Sequence, residues 1–363
     1  MTSGVPQPAS TRRHSLHATL ADVVAFHPSP GSWVAAIQAA IAMTLLPAAF
    51  LFAGQLQLGL LATFGALIVL YLSDRSRRER AVKLPLVAAA FLAAVGVGLV
   101  AGTNLIASLV AVCAVVLICS WLSLTTGVGP PGAIFPVLSA GAAAQLASSP
   151  QQGGIGLPPG AVIGMVALGA ACGYVVVVAP LLTASGRRRD ALRPQKLAWS
   201  YAMTPESQRI LLRLAVAVVI SAAVSYSLGL HHVAWVLLAV IGILQKDSDL
   251  YAGTVRLTQR VVGTTVGVGV ALVFLVWAPE GLLLIAVVGV LVFGFVLFLR
   301  RNLMLALMLV TPMALLLVAG GMPGQLVAST GTRLIDTLVG AAVASAVLLV
   351  VGLYRRARRS VKA

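Results

Sequence analysis

The sequence predicts an all-α polytopic membrane protein, and three observations predict it. Hydrophobic residues make up 60% of the 363 residues and charged residues only 9%, with a mean hydropathy of +1.02. A water-soluble domain would have nowhere to hide that much apolar surface. The apolar residues also come in runs near the roughly 20 residues that cross a bilayer as one helix. Finally, the formal charge of +16 sits in the short breaks between runs and forms no stripe on a soluble fold. It therefore reads as a topology signal and excludes a nucleic-acid surface.

Taken in order, residues 1–30 are a basic cytoplasmic N-terminal segment. It has no apolar core followed by a small-residue cleavage site, so the first helix is expected to be kept. Runs at Ser32–Phe52, Gln57–Leu72, Leu84–Ala101, Leu105–Leu122, Ala133–Ala147 and Gly160–Thr183 predict six spans in a first membrane half, 31–184. A polar cytoplasmic linker, 185–208, follows. Runs at Ile210–Leu228, Val233–Leu244, Val261–Trp277, Leu282–Leu299, Leu303–Ala319 and Leu334–Tyr354 predict six more in a second half, 209–354, before a basic cytoplasmic tail, 355–363. The expected total is about twelve.

With both termini inside, Arg12, Arg13, the run Arg75–Lys83, the linker cations, Lys246–Arg260, Arg300, Arg301 and the tail all face the cytoplasm. Only Arg333 is left outside, which is the charge bias of a multi-pass inner-membrane protein. Trp33, Trp121, Trp235 and Trp277 fall at predicted helix ends, where amphipathic rings prefer the interface. The halves also look like repeats. VGVG at 95–98 recurs at 266–269, and Pro136 has a counterpart in Pro312, each in a fifth span. An even number of spans per half makes the repeat parallel, with an interface between halves at the centre.

Candidate chemistry is sparse. No HExxH, Walker loop or nucleophile elbow occurs, so an enzyme is not expected, nor is a cofactor. Cys113, Cys119 and Cys172 read as reduced packing residues, and Asp247 and Asp249 read as a solvated loop, so no metal is expected. Pro136 and Pro312 free backbone carbonyls in apolar helices, which marks a substrate path or a packing kink eased by Ser139 or Thr311. GxxxG pairs at Gly98 and Gly102, Gly160 and Gly164, Gly169 and Gly173, and Gly263 and Gly267 let helices approach closely, within the chain or across a homodimer.

Arg209 and Arg213 lie one helical turn apart before span seven, and Arg256 and Arg260 repeat that spacing before span nine. They form either a cytoplasmic vestibule that gathers organic anions or anchors that reach the headgroups. Arg333 and Asp336, at i and i+3, read as an ion pair or gate at the outer end of the last span. His232 and Trp235 share the outer end of span eight as interfacial anchors.

The second half resembles the fusaric acid resistance or aromatic acid exporter family. The likeness rests on HHVAWVLLAVIGILQ at 231–245, RLTQRVVGTTVGVGVAL at 256–272 and RLIDTLVGAAVA at 333–344. It implies two six-helix membrane repeats that export aromatic or other organic acids, or related toxic compounds, without ATP hydrolysis in the same chain. The expected partners are therefore an organic-acid or hydrophobic small molecule and the lipid bilayer. A non-transporting scaffold for an envelope or biosynthetic system is the alternative. One negative charge leaving an inside-negative cell gains about 2.3 kcal/mol per 100 mV, so anion export needs no nucleotide.

Overall fold

The computed structural model describes residues 21–29, 31–101, 105–128, 131–147, 156–192, 197–199, 201–230, 233–245, 250–319 and 323–360, and among them helices and turns occur but no strand. The first half carries α1 (Ser32–Phe52), α2 (Leu56–Ala66) continuing into a 3-10 turn at Leu67–Leu70, α3 (Arg77–Ala101), α4 (Leu105–Thr126), α5 (Ile134–Ala147) and α6 (Pro159–Val178). A short helix α7 (Ala184–Ala191) lies in the linker. The second half carries α8 (Pro205–Ser227), α9 (Val233–Leu244), α10 (Leu250–Trp277), α11 (Gly281–Phe298), α12 (Leu303–Ala319) and α13 (Pro323–Ser360).

These helices fall into two classes. Eight of the helices are long and apolar enough to cross a membrane, but the apolar segments at Leu56–Leu70, Ile134–Leu146, Val233–Leu244 and Leu303–Val318 are shorter. The 12 residues of α9 rise about 18 Å, well short of a hydrocarbon core of roughly 30 Å. Of the twelve expected spans, then, eight have the length of one. Hydropathy scores apolar content and cannot see where a helix stops.

The short helices lie innermost. Val236, Leu237, Ala239, Val240, Ile241, Ile243 and Leu244 of α9 are buried, as are Val137, Ala140 and Ala143 of α5. Long helices bury only a stripe and turn the rest outward, including Leu212 and Val219 of α8 and Ile106 and Val110 of α4. Apolar residues all round a helix with one buried stripe leave the other face to lipid.

Close helix crossings occur where a side chain is missing. The helix α2 packs on α6, and α9 packs on α13. A Cβ at Gly169 would overlap the Ala62 carbonyl, and one at Gly340 would stand 2.5 Å from the Val236 carbonyl oxygen. Likewise α3 packs on α5 through Gly98, and α10 packs on α12 through Gly263 and Gly267. Gly160 and Gly164 face open space instead. The halves meet where α9 lies on α5, α1 on α11 and α4 on α8.

The loops that carry the basic residues gather at one end, called here the basic end. The Asp190 carboxylate of α7 accepts from the backbone N–H groups of Arg77 and Arg78, and Arg300 pairs with Asp74 at 3.7 Å. The segment before α1 straps onto the second half. Tyr251 donates to Asp22 at 2.6 Å, Gln259 donates to the Val23 carbonyl at 3.0 Å, and His27 N–H donates to the Arg301 carbonyl at 2.9 Å.

Short buried helices end inside apolar surroundings, so their terminal backbone groups need partners there. The Arg80 guanidinium donates to the Val69 carbonyl at the end of the α2 turn, and Arg213 donates to the Leu244 carbonyl at the end of α9, 2.6 Å away. Asn302 accepts from the N–H of Leu305 at the start of α12, and Gln245 accepts from the N–H of Ala133 ahead of α5. Replacing Arg213 with Leu should cost about 1–3 kcal/mol by stranding that carbonyl, whereas Arg209→Leu on the exposed face should be near neutral. Thermal unfolding of the two variants in detergent checks this, and equal midpoints would refute the capping role.

Candidate functional site

A cavity of about 270 Å³ opens near the basic end within the first half. Leu86, Ala90 and Phe91 of α3, Cys119 and Leu122 of α4, Pro136 of α5 and Tyr71 make its walls, and Trp199 and Tyr201 of the linker close one side. The Tyr71 hydroxyl donates to the Gly132 carbonyl, fixing the ring edge-on to Phe91 with centroids 5.6 Å apart. Gln245 reaches in from the second half and donates to the Ser123 hydroxyl at 3.1 Å. Gly132 has φ +61, a left-handed conformation that admits this contact, because a Cβ there would stand 2.6 Å from the Gln245 oxygen.

A second cavity of about 270 Å³ also borders Trp199, lined by Arg75, Glu79, Lys83, Thr125 and Gly127 among others. The Lys83 ammonium sits 5.1 Å from the Trp199 ring centroid and pairs with Glu79 at 2.7 Å. With Arg75, this chamber carries two cations and one carboxylate. An apolar chamber and a cationic one thus both border Trp199 and Thr126. Trp199, Tyr71, Tyr201, Lys83 and Gln245 are missed by sequence reasoning because they come from four separate segments, and the only local signal was aromatic residues within a polar linker.

The second notable region lies where α9, α10 and α13 meet. Arg260 and Arg333 are 7% and 4% exposed. The Arg333 guanidinium lies over the Trp235 ring, 3.9 Å from its centroid. Arg260 rests on α9 at Gly242, where a Cβ would overlap its Nη1. Asp336 is also buried, with one carboxylate oxygen lacking a hydrogen-bond partner among the described residues.

Several sequence expectations are redrawn by these positions. Pro136 is the third residue of α5, in a first turn that needs no intrahelical donor, so it interrupts no ladder and serves as cavity wall. Pro312 does sit inside α12. There the Thr311 hydroxyl donates to the Leu307 carbonyl at 2.8 Å while Gly267 packs against Thr311. Ser139 instead donates across to the Phe64 carbonyl at 3.5 Å. Arg209 is exposed, but Arg213, Arg256 and Arg260 are buried, so the four do not line one open vestibule. Arg260 and Arg333, expected at opposite ends, both pack on α9, Arg260 at Gly242 and Arg333 over Trp235. Trp33, Trp121 and Trp277 are exposed as interface anchors would be, whereas Trp235 is 7% exposed beneath Arg333. His232, Asp247 and Asp249 lie outside the described residues.

Fold and site together define a multi-pass membrane protein with ionisable side chains held inside its helix packing. Residues 217–347 match the family described as Fusaric acid resistance protein-like, so the likeness covers most of the second half. Among curated proteins, Inner membrane protein YccS of Escherichia coli (strain K12) is 32% identical over 146 residues, which is 39% of this chain and 19% of that protein. The chain therefore covers about a fifth of that relative's length. No solved structure matches the chain. Eight spanning-length helices and the likeness to an inner membrane protein make this chain a multi-pass inner-membrane protein.

Cys119 offers a native probe of the cavity. With Cys113 and Cys172 changed to Ser, Trp199→Ala should speed Cys119 labelling by a small maleimide severalfold, because the indole lines the same cavity as that thiol and its removal widens the opening. Unchanged rates would mean that the indole does not close the cavity.

Proposed function

We propose that the chain is an efflux transporter that moves amphipathic organic acids across the inner membrane without ATP hydrolysis. The observation that carries the reading is the pair of chambers that meet at Trp199 and Thr126. An aryl or alkyl body fits against Tyr71, Leu86, Phe91 and Leu122 of one, and Arg75 and Lys83 line the other and attract its carboxylate. Concave apolar walls with a few placed charges are the usual form of a small-molecule site. Beside that second chamber Lys83 pairs with Glu79, while Arg75 and Arg300 share Asp74, so three cations meet two carboxylates and a bound carboxylate restores the balance.

In this reading the chain has about twelve membrane helices in two parallel repeats, 31–184 and 209–354, with both termini and the linker in the cytoplasm. Two features support the repeat. The short helices recur as the second and fifth of each half, and the pairings of α2 with α6 and α3 with α5 recur as α9 with α13 and α10 with α12. The basic loops gathered at one end support the cytoplasmic placement through the charge bias of inner-membrane proteins. The chambers then open toward the cytoplasm, where an exporter collects its cargo.

Proteoliposomes with the potential clamped by potassium and valinomycin test the proposal against a panel of aromatic and aliphatic carboxylates. Potential-dependent flux is expected. Lys83→Gln should lower anion flux by about tenfold if the ammonium contributes a charge-assisted contact near 1.4 kcal/mol, and flux of neutral analogues should change little. Absence of flux across the panel would sink the exporter reading.

A further inference from the structure

Between the two membrane halves, α7 lies across the ends of two spanning helices. Its N-cap Thr183 directly follows the span Pro159–Leu182. Near its other end the Asp190 carboxylate accepts from the backbone N–H groups of Arg77 and Arg78, the first residues of the span Arg77–Ala101. Those two spans pack on each other. The 8 residues of α7 rise about 12 Å, close to the roughly 8–10 Å between the axes of packed helices. The helix therefore bridges the two ends at the level where the apolar segments stop.

The bridge is fixed from within. The Thr183 hydroxyl accepts from the Gly186 N–H at 3.1 Å, and a Cβ at Gly186 would overlap the Pro180 carbonyl. Arg187 donates to the Leu181 and Leu182 carbonyls at 3.1 and 3.0 Å, and Asp190 is buried with both carboxylate oxygens engaged. Arg78, Arg188 and Arg189 are exposed, and among the described residues no carboxylate forms an ion pair with any of them. Leu182 and Leu192, at either end of α7, are 80% and 87% exposed. Cations that only set topology need no such frame. Here a rigid corner holds three unneutralised guanidinium groups and two protruding leucines along the membrane boundary. That combination suits an interface where cations meet phosphates and apolar side chains meet the start of the acyl chains.

We propose that α7 and the first turn of α3 form a docking surface for anionic phospholipid headgroups in the leaflet at the basic end. Arg78, Arg188 and Arg189 receive the phosphate groups, which guanidinium donors match in charge and geometry, and Leu182 and Leu192 insert beside the acyl chains. A zwitterionic headgroup carries its own cation, which these arginines repel, so the surface selects lipids of net negative charge. It is separate from the Trp199 chambers, and lipid capture there does not depend on whether the chain exports acids.

A probe beside α7 reads lipid capture directly. In the full chain with Cys113, Cys119 and Cys172 changed to Ser, a fluorophore is attached through Leu192→Cys and the protein is reconstituted in phosphatidylcholine bilayers. These carry a small, equal fraction of nitroxide-labelled phosphatidylglycerol or nitroxide-labelled phosphatidylcholine. Quenching by the labelled phosphatidylglycerol should exceed that by the labelled phosphatidylcholine severalfold. Salt at about 1 M should remove the difference, because charges are then screened beyond roughly 3 Å. Arg78→Gln, Arg188→Gln and Arg189→Gln together should also remove it, whereas Arg209→Gln, an exposed cation at the start of α8, should leave it in place. Should the triple variant not fold, Arg188→Gln with Arg189→Gln leaves α3 untouched and should at least halve the preference. Equal quenching by the two lipids in the unsubstituted surface, or a preference that survives loss of the arginines, would overturn the proposal. Flux plays no part in these readouts, so failure here leaves the exporter reading standing.

Discussion

The constraint on which the rest of the structure depends is that a helix too short to cross the bilayer must still satisfy its terminal backbone groups. Four such segments form the centre of this protein, and their ends cannot reach the aqueous phase without help. Arg80 and Arg213 supply donors to the last carbonyls of two of them, and Asn302 and Gln245 supply acceptors ahead of two others. Polar side chains at the basic end are therefore structural as well as topological. Gln245 also joins the halves, since it leaves α9 in the second half and bonds to Ser123 and Ala133 in the first.

That arrangement separates the halves in chemistry. The first half, with the linker folded across it, encloses space between aromatic walls and places Lys83 behind an indole. The second half encloses charge, with Arg260, Arg333 and Asp336 buried around Trp235. An apolar surface and charge held inside a medium that otherwise rejects ions are thus supplied by different helices.

Much of the helix map was legible in the sequence, because apolar content over about 20 residues is a property of the chain itself. Each of the twelve apolar runs became a helix or the greater part of one. Length was less legible. The run Val233–Leu244 reads as a span by composition, but nothing in the composition says that its neighbours would bury it on all sides. Pro136 reads as a helix breaker because proline lacks an N–H, yet in the first turn of α5 that N–H is not needed. Trp235 reads as an interface anchor because it stands near a helix start, and only the approach of α13 places Arg333 above it.

The sequence by itself determined the class of protein, the order of its helices and which loops would share one end, because hydropathy and charge are additive along the chain and the bilayer acts on them segment by segment. Tertiary structure alone decided which arginines cap helices, which lie buried and where a cavity remains. Those outcomes depend on contacts between residues such as Arg80 and Val69, Arg260 and Gly242, or Lys83 and Trp199. Hydrogen bonds, ion contacts and close packing fall off within a few ångströms, so they are set by how helices cross and not by the order in which residues follow one another.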